Sequence, residues 1–256
     1  MLSSFADGSL FGEVVGDGPA SVVCLHGWGR THRDAIGVLM LPGGPVVDGI
    51  SLDLPGFGAS PAPEEAYSSF DFARVLIPVF ESLPGPVVVM GHSHGGRVAV
   101  ALADLRPDLV AGLVLIGAPV LRRPTASRPS ARYRVLRFLR RIHIVSETRF
   151  EAVRRRAGSA DYNAATGTMR DTLVRVINES FDDELGRIQV PVALVWGEHD
   201  ADVPLDVAER ARALLTQGSS APVSLTVVPG VGHLTVTEAP AAVRASLDDV
   251  LAEVAS

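Results

Sequence analysis

The sequence predicts an α/β fold on a mostly parallel sheet covered by helices on both faces, and three observations carry that expectation. Short apolar runs rich in valine, isoleucine and leucine end in glycine or proline, segments with helical spacing lie between them, and the two kinds alternate along most of the chain. The runs are near-continuous rather than alternating, as suits parallel strands buried on both faces.

Taken in order, Val22 to Leu25 is the first strand candidate. Phe70 to Leu83 follows with helical patterning, and Pro78 within it is expected to kink or shorten the helix, because proline lacks an N–H and crowds the preceding turn. Pro86 to Met90 is the second run, followed by a helix over Gly95 to Leu105 whose Gly96, Ala99, Ala101 and Ala103 are small enough to lie close against a sheet. Leu113 to Ile116, Pro191 to Trp196 and Val223 to Val228 complete the strand set, with helices over Leu205 to Leu215 and Ala239 to Val254. Parallel strands joined through helices demand right-handed crossovers.

The rhythm fails from Val120 to about Gly186, where the sequence is arginine-rich and helix-compatible, as in Ala131 to Arg141 and Met169 to Asn178. The predicted organisation is therefore a core of residues 1–120 and 186–256, with residues 121–185 as a helical lid. The lid is expected over the C-terminal ends of the strands, where open α/β sheets bind ligands.

Composition narrows the function classes. A chain of 256 residues with 47% hydrophobic and 20% charged residues can bury a large core without staples. Its net charge of −6 argues against nucleic-acid binding across the surface. There is no lysine, and about half of the 23 arginines fall between Arg122 and Arg156. Most of these are expected to be solvated or paired. A sharper reading lets Arg154 to Arg156 steer anionic substrates. The single cysteine, Cys24, argues for no internal disulfide, and the N-terminal residues lack the basic and apolar regions of a signal peptide. With no stretch of transmembrane length, the expectation is a cytoplasmic protein, monomer or homodimer, acting on a small molecule without membrane, metal or cofactor.

Chemistry enters at Gly91-His92-Ser93-His94-Gly95, between a buried run and a helix. A serine on a tight strand-to-helix turn stands exposed at the top of a sheet, with the helix N-terminus directing partial positive charge at the same spot. His26-Gly27-Trp28-Gly29 closes an earlier strand; alone it reads as a glycine turn with a structural histidine, but beside such a serine its Trp28 amide pairs with the His94 amide as an oxyanion hole. A base and an orienting carboxylate should follow in chain order. His233 in Pro229-Gly230-Val231-Gly232-His233 is the base, and the 196–204 stretch offers Asp200 and Asp202. His32 and His143 read as loop or surface residues, His92 as structural, and His199 as a neighbour of the acid.

On these residues the chain resembles the α/β-hydrolase fold superfamily, in its serine-hydrolase form with a short helical cap, similar to carboxylesterases and carbon–carbon bond hydrolases. The resemblance rests on HGWG at 26–29, DLPGFGAS at 53–60, GHSHGG at 91–96, WGEHDADVP at 196–204 and GVGHLTVTEAP at 230–240. It implies that Ser93, Asp200 and His233 form a triad, that Trp28 and His94 supply oxyanion amides, and that Asp53 and Gly56 belong to a structural loop. Asp202 is left as an N-cap of the next helix. His94 departs from the usual Met, Leu, Phe or Gln, and its ring is expected beside the acyl pocket. The implied function is hydrolysis of a carboxylic ester, lactone or thioester through an acyl-enzyme. Carbon–carbon hydrolysis of ring-cleavage products and a low-turnover receptor are the alternatives, since one scaffold hosts many chemistries.

Overall fold

A computed structural model of the chain describes residues 1–122 and 160–256. The expected helix over Ala131 to Arg141, His143 and the arginines at 154–156 lie outside the described residues. The N-terminal strands β1 (Leu2–Phe5) and β2 (Leu10–Val15) form an antiparallel hairpin. Then come β3 (Val22–Leu25), α1 (Arg33–Leu39), β4 (Gly49–Asp53), α2 (Ser69–Glu81), β5 (Val87–His92), α3 (His94–Leu105) and β6 (Val110–Ile116). After the undescribed stretch the chain continues through α4 (Ala160–Ala164), α5 (Gly167–Val176), α6 (Asp182–Leu185), β7 (Val192–Gly197), α7 (Leu205–Gly218), β8 (Val223–Val228), α8 (Thr235–Glu238) and α9 (Pro240–Ala255).

The eight strands make one sheet in the order β1-β2-β4-β3-β5-β6-β7-β8. β2 runs antiparallel to β4, and every pairing from β4 to β8 is parallel. Strand side chains alternate between faces, and two apolar clusters result. Val23, Leu25, Val89, Leu113, Leu115, Leu194 and Trp196 join residues of α2, α3 and α7 on one face. Val22, Cys24, Val88, Met90, Val114, Ile116, Ala193 and Val195 join α1 and α9 on the other. Continuous apolar runs in β3, β5, β6 and β7 are thereby explained, because both faces of each are covered. β8 is a sheet edge and its residues are mostly half-exposed, contrary to the expectation of burial on both faces.

Three strands were not anticipated. β1 and β2 interrupt their apolar residues with Ser3, Ser4, Gly12 and Glu13, and β4 is five residues long with Gly49, Ser51 and Asp53 in it. Partners, not propensity, make these strands. Pro78 lies inside α2, which ends three residues later at Glu81, two residues short of the expected Leu83. Pro78 has no N–H to give to the Arg74 carbonyl, and both residues are exposed. The start of α2 is held by a capping box in which Ser68 Oγ accepts from Asp71 N and Asp71 accepts from Ser68 N.

The described part of the 121–185 segment is helical and packs into the core: Tyr162, Leu173, Val176, Phe181 and Leu185 share the cluster of α2 and α3. Its two ends are joined, Phe181 N donating to Val120 O at 2.9 Å and Arg122 N to Ser180 Oγ at 3.0 Å. Among the described residues no helix is long and apolar enough to cross a membrane.

Candidate active site

The C-terminal ends of the parallel strands converge on one cleft of about 680 Å³, lined among others by Trp28, Ser93, Arg97, Glu179, Asp202 and His233. Strand ends collect ligands in this architecture because loops and helix N-termini open there.

Ser93 stands between β5 and α3 with φ 50° and ψ −112°, a left-handed conformation that a non-glycine residue adopts only under constraint. The constraint is visible. Ser93 N donates to Ile116 O at 2.8 Å, and Gly96 N donates to Ser93 O at 3.0 Å. A Cβ on Gly95 would strike the carbonyl of Leu25, and one on Gly96 would strike the Ala118 methyl, so only glycine lets α3 pass this close to the sheet. His94 is the first residue of α3, where an amide has no acceptor within its own helix.

His233 Nε2 lies 2.9 Å from Ser93 Oγ, and His233 Nδ1 lies 2.8 Å from Asp200 Oδ2. The carboxylate can only accept, so Nδ1 carries the proton and Nε2 offers its lone pair to the serine hydroxyl. Asp200 is held in turn, with Oδ1 accepting from Asp202 N at 3.0 Å and Val203 N at 2.8 Å. Its side chain is 1% exposed and that of His233 17%. Burial disfavours the imidazolium, but the hydrogen bond and charge of Asp200, with Asp202 and Asp161 nearby, outweigh it and raise the His233 pKa above its ordinary 6.5. Asp200, Asp202 and His233 also place ligand-type atoms within 4.8 Å of one another. Asp200 and His233 are committed to each other and Asp200 Oδ1 to two amides, so the group is a hydrogen-bonded relay and not a cation cage.

The remaining histidines sort by burial. His92 is buried and its Nε2 donates to His233 O at 2.9 Å, fixing the backbone that carries the imidazole; burial lowers its pKa to about 4. His26 is structural, receiving Leu54 N on Nε2 at 2.9 Å. His199 is exposed at 68% beside the acid. His32 is a correction: it is buried, with its backbone N and Nδ1 both donating to Asp53 Oδ1, at 2.8 and 2.9 Å. Asp53 ends β4 fully buried, and accepts from Ala59 N as well, so it is a structural hub.

Two further expectations need correcting. The His94 ring does not border the cleft; it is buried between Trp28 and Phe72, with ring centroids at 5.4 and 4.8 Å. Burial takes its pKa to about 3, so it stays neutral there. Helices point side chains at positions beyond a turn inward or outward by register, and residue 94 falls on the inward side. Asp202 caps no helix: the N-cap of α7 is Pro204 and no side-chain cap bond is made, while Asp202 is exposed at the cleft beside the base. The motifs also missed Arg97, Glu179 and Asp161 in the cleft lining. Arg97 was within reach, since it falls in the first turn of the helix that begins directly after Ser93.

A mostly parallel sheet carrying a strained serine above β5, with a histidine and an aspartate after the last two strands, defines a protein of the nucleophile-elbow class. The chain belongs to the alpha/beta hydrolase family, whose model matches residues 22–246. It is 30% identical over 220 residues to a pimeloyl-[acyl-carrier protein] methyl ester esterase of Chromobacterium violaceum, covering 77% of this chain and 82% of that one. It is 31% identical over 228 residues to a 2-hydroxy-6-oxononadienedioate/2-hydroxy-6-oxononatrienedioate hydrolase of Klebsiella pneumoniae, covering 77% of each. A match to an esterase of Mycobacterium tuberculosis is local, 39% identical over 97 residues, and the chain spans 32% of that protein's length. Among solved structures, a thermophilic esterase of Thermogutta terrifontis superimposes with a TM-score of 0.69 at 22% identity over 100% of both chains, a likeness of fold.

Proposed function

We propose that this protein hydrolyses carboxylic esters of small molecules through an acyl-enzyme on Ser93. The observation that carries the reading is the unbroken path from Asp200 through His233 to the elbow serine, at 2.8 and 2.9 Å. Ser93 Oγ attacks the ester carbonyl while His233 Nε2 takes its proton, and Asp200 holds the tautomer and stabilises the imidazolium. The carbonyl oxygen becomes an oxyanion received by the amides of Trp28 and His94. Collapse expels the alkoxide with the proton from His233, and water then repeats the sequence against the acyl group, regenerating Ser93. The route needs no metal or cofactor. Residues 121–185 act as the lid that shapes the acyl and alcohol pockets, and their joined ends at Val120 and Phe181 support that role.

The test is covalent labelling. A fluorophosphonate is expected to modify the protein once, at Ser93, and a panel of esters of graded chain length is expected to be turned over. Failure to label, or equal labelling of Ser93→Ala, refutes the reading. The similarity to a 2-hydroxy-6-oxononadienedioate/2-hydroxy-6-oxononatrienedioate hydrolase makes a vinylogous diketone the necessary second substrate in the panel. Faster cleavage of the diketone than of every ester would replace ester hydrolysis with carbon–carbon hydrolysis on the same residues.

A further inference from the structure

Arg97 lines the cleft, and the ester-hydrolysis reading gives it no role. It sits in the first turn of α3, the helix that begins directly after Ser93, and both residues line the cleft. Only 7% of the residue is exposed, yet it borders the cleft. Its Nε and Nη1 are buried without a hydrogen-bond partner among the described residues. A buried guanidinium with unmet donors is costly, and a fold keeps one where something else completes it. Burial brings its pKa down to about 10, so it remains a cation at neutral pH.

The nearest carboxylate does not complete it. Glu179 also borders the cleft and favours the Arg97 charge through space, but its oxygens are engaged elsewhere. Ser69 N donates to Glu179 Oε1 at 3.0 Å, and Ser69 Oγ to Oε2 at 2.5 Å. Arg30, another arginine of the cleft lining, is spent on Asp34 through Nε and Nη2 at 2.6 and 2.8 Å. The imidazole of His94 beside Arg97 is neutral. Arg97 is therefore an unspent cation facing the site of chemistry.

We propose that Arg97 anchors a carboxylate carried by the substrate, so that the cleft selects carboxylate-bearing esters such as hemiesters of short dicarboxylic acids. The proposal rests on the cleft being the ester-hydrolysing site. A monoanion can accept a charge-assisted hydrogen bond from the guanidinium, whereas the carboxylates of Glu179, Asp161 and Asp202 in the same lining disfavour a dianion such as phosphate. Anchoring at α3 fixes one end of the substrate relative to Ser93, which immediately precedes that helix, and so places the carbonyl in reach.

The experiment compares kcat/KM for aryl hemiesters of succinic, glutaric and adipic acids with their uncharged methyl diester counterparts, in wild type, Arg97→Met and Arg97→Lys. The expected result is a wild-type preference for one hemiester of tenfold or more over its neutral counterpart. That ratio should collapse at least tenfold in Arg97→Met and partly recover in Arg97→Lys. Calorimetric titration of Ser93→Ala with the matching free dicarboxylate gives a readout that needs no turnover. Saturable binding in Ser93→Ala that is lost in Ser93→Ala/Arg97→Met supports the anchor even if no ester is cleaved, an outcome that would sink only the hydrolytic reading. A wild type without preference and without dicarboxylate binding overturns the anchor. Equal losses on charged and neutral esters in Arg97→Met, with a lowered Tm, also overturn it, because a packing role moves both alike.

Discussion

Replacing Asp200 with asparagine changes no volume but reverses the hydrogen-bond logic of the site. Asp200 Oδ1 accepts two amides, from Asp202 at 3.0 Å and Val203 at 2.8 Å, and Oδ2 faces His233 Nδ1 at 2.8 Å. An asparagine must turn one atom, its NH2, away from acceptance. Pointing NH2 at the loop would set a donor against two amides, whereas pointing it at His233 sets it against one ring nitrogen. The loop therefore dictates the orientation, and NH2 meets the imidazole. Nδ1 must then accept, the proton moves to Nε2, and Nε2 can no longer take the proton of Ser93 Oγ at 2.9 Å. The expected loss in kcat is about three to four orders of magnitude, or roughly 4–5.5 kcal/mol of transition-state stabilisation. Asp202→Asn is expected to cost less than about tenfold, because Asp202 is exposed and acts on His233 only as a nearby charge. The assay is kcat on an activated ester, with Tm measured beside it to show that both variants fold. A larger loss from Asp202→Asn than from Asp200→Asn refutes the reasoning, as does an Asp200→Asn enzyme within tenfold of wild type.

The acid limb of kcat/KM against pH should report His233, whose pKa lies above 6.5, and activity falls as pH drops through it because the protonated ring cannot accept. Asp202 contributes to that elevation, so Asp202→Asn should move the limb to lower pH; an unmoved or raised limb contradicts the assignment. Gly95→Ala should destabilise by about 1–3 kcal/mol in urea unfolding, since the new methyl collides with the Leu25 carbonyl. Gly37→Ala is the control: it lies in α1 with its nearest neighbour, Pro240 Cβ, at 3.9 Å, and should stabilise by about 0.5–1 kcal/mol. Asp53→Ala orphans two buried donors of His32, at about 1–3 kcal/mol each, besides the half-buried N–H of Ala59; a loss below about 2 kcal/mol would show that water replaces the carboxylate.

The central strands, the serine elbow and the chain order of serine, acid and base were legible in the sequence, because each is imposed locally. A strand buried on both faces must be apolar throughout, and the elbow's glycines at 91 and 95 show in the local motif. β1, β2 and β4 were not legible, because their polar residues become strands only by pairing with neighbours already in place. Partner geometry likewise decided the histidines. Spacing alone could not place His32 on Asp53 or sink the His94 ring between Trp28 and Phe72. The same holds between the two aspartates after β7: the residues flanking them are similar, and only the tertiary fold turns Asp200 inward onto His233 and leaves Asp202 exposed. Sequence sets what each short stretch can become, through side-chain period and backbone constraint. Distances between stretches 33 and 140 residues apart, such as those joining His233 to Asp200 and to Ser93, depend on how the helices pack across the sheet, and that is a property of the whole chain.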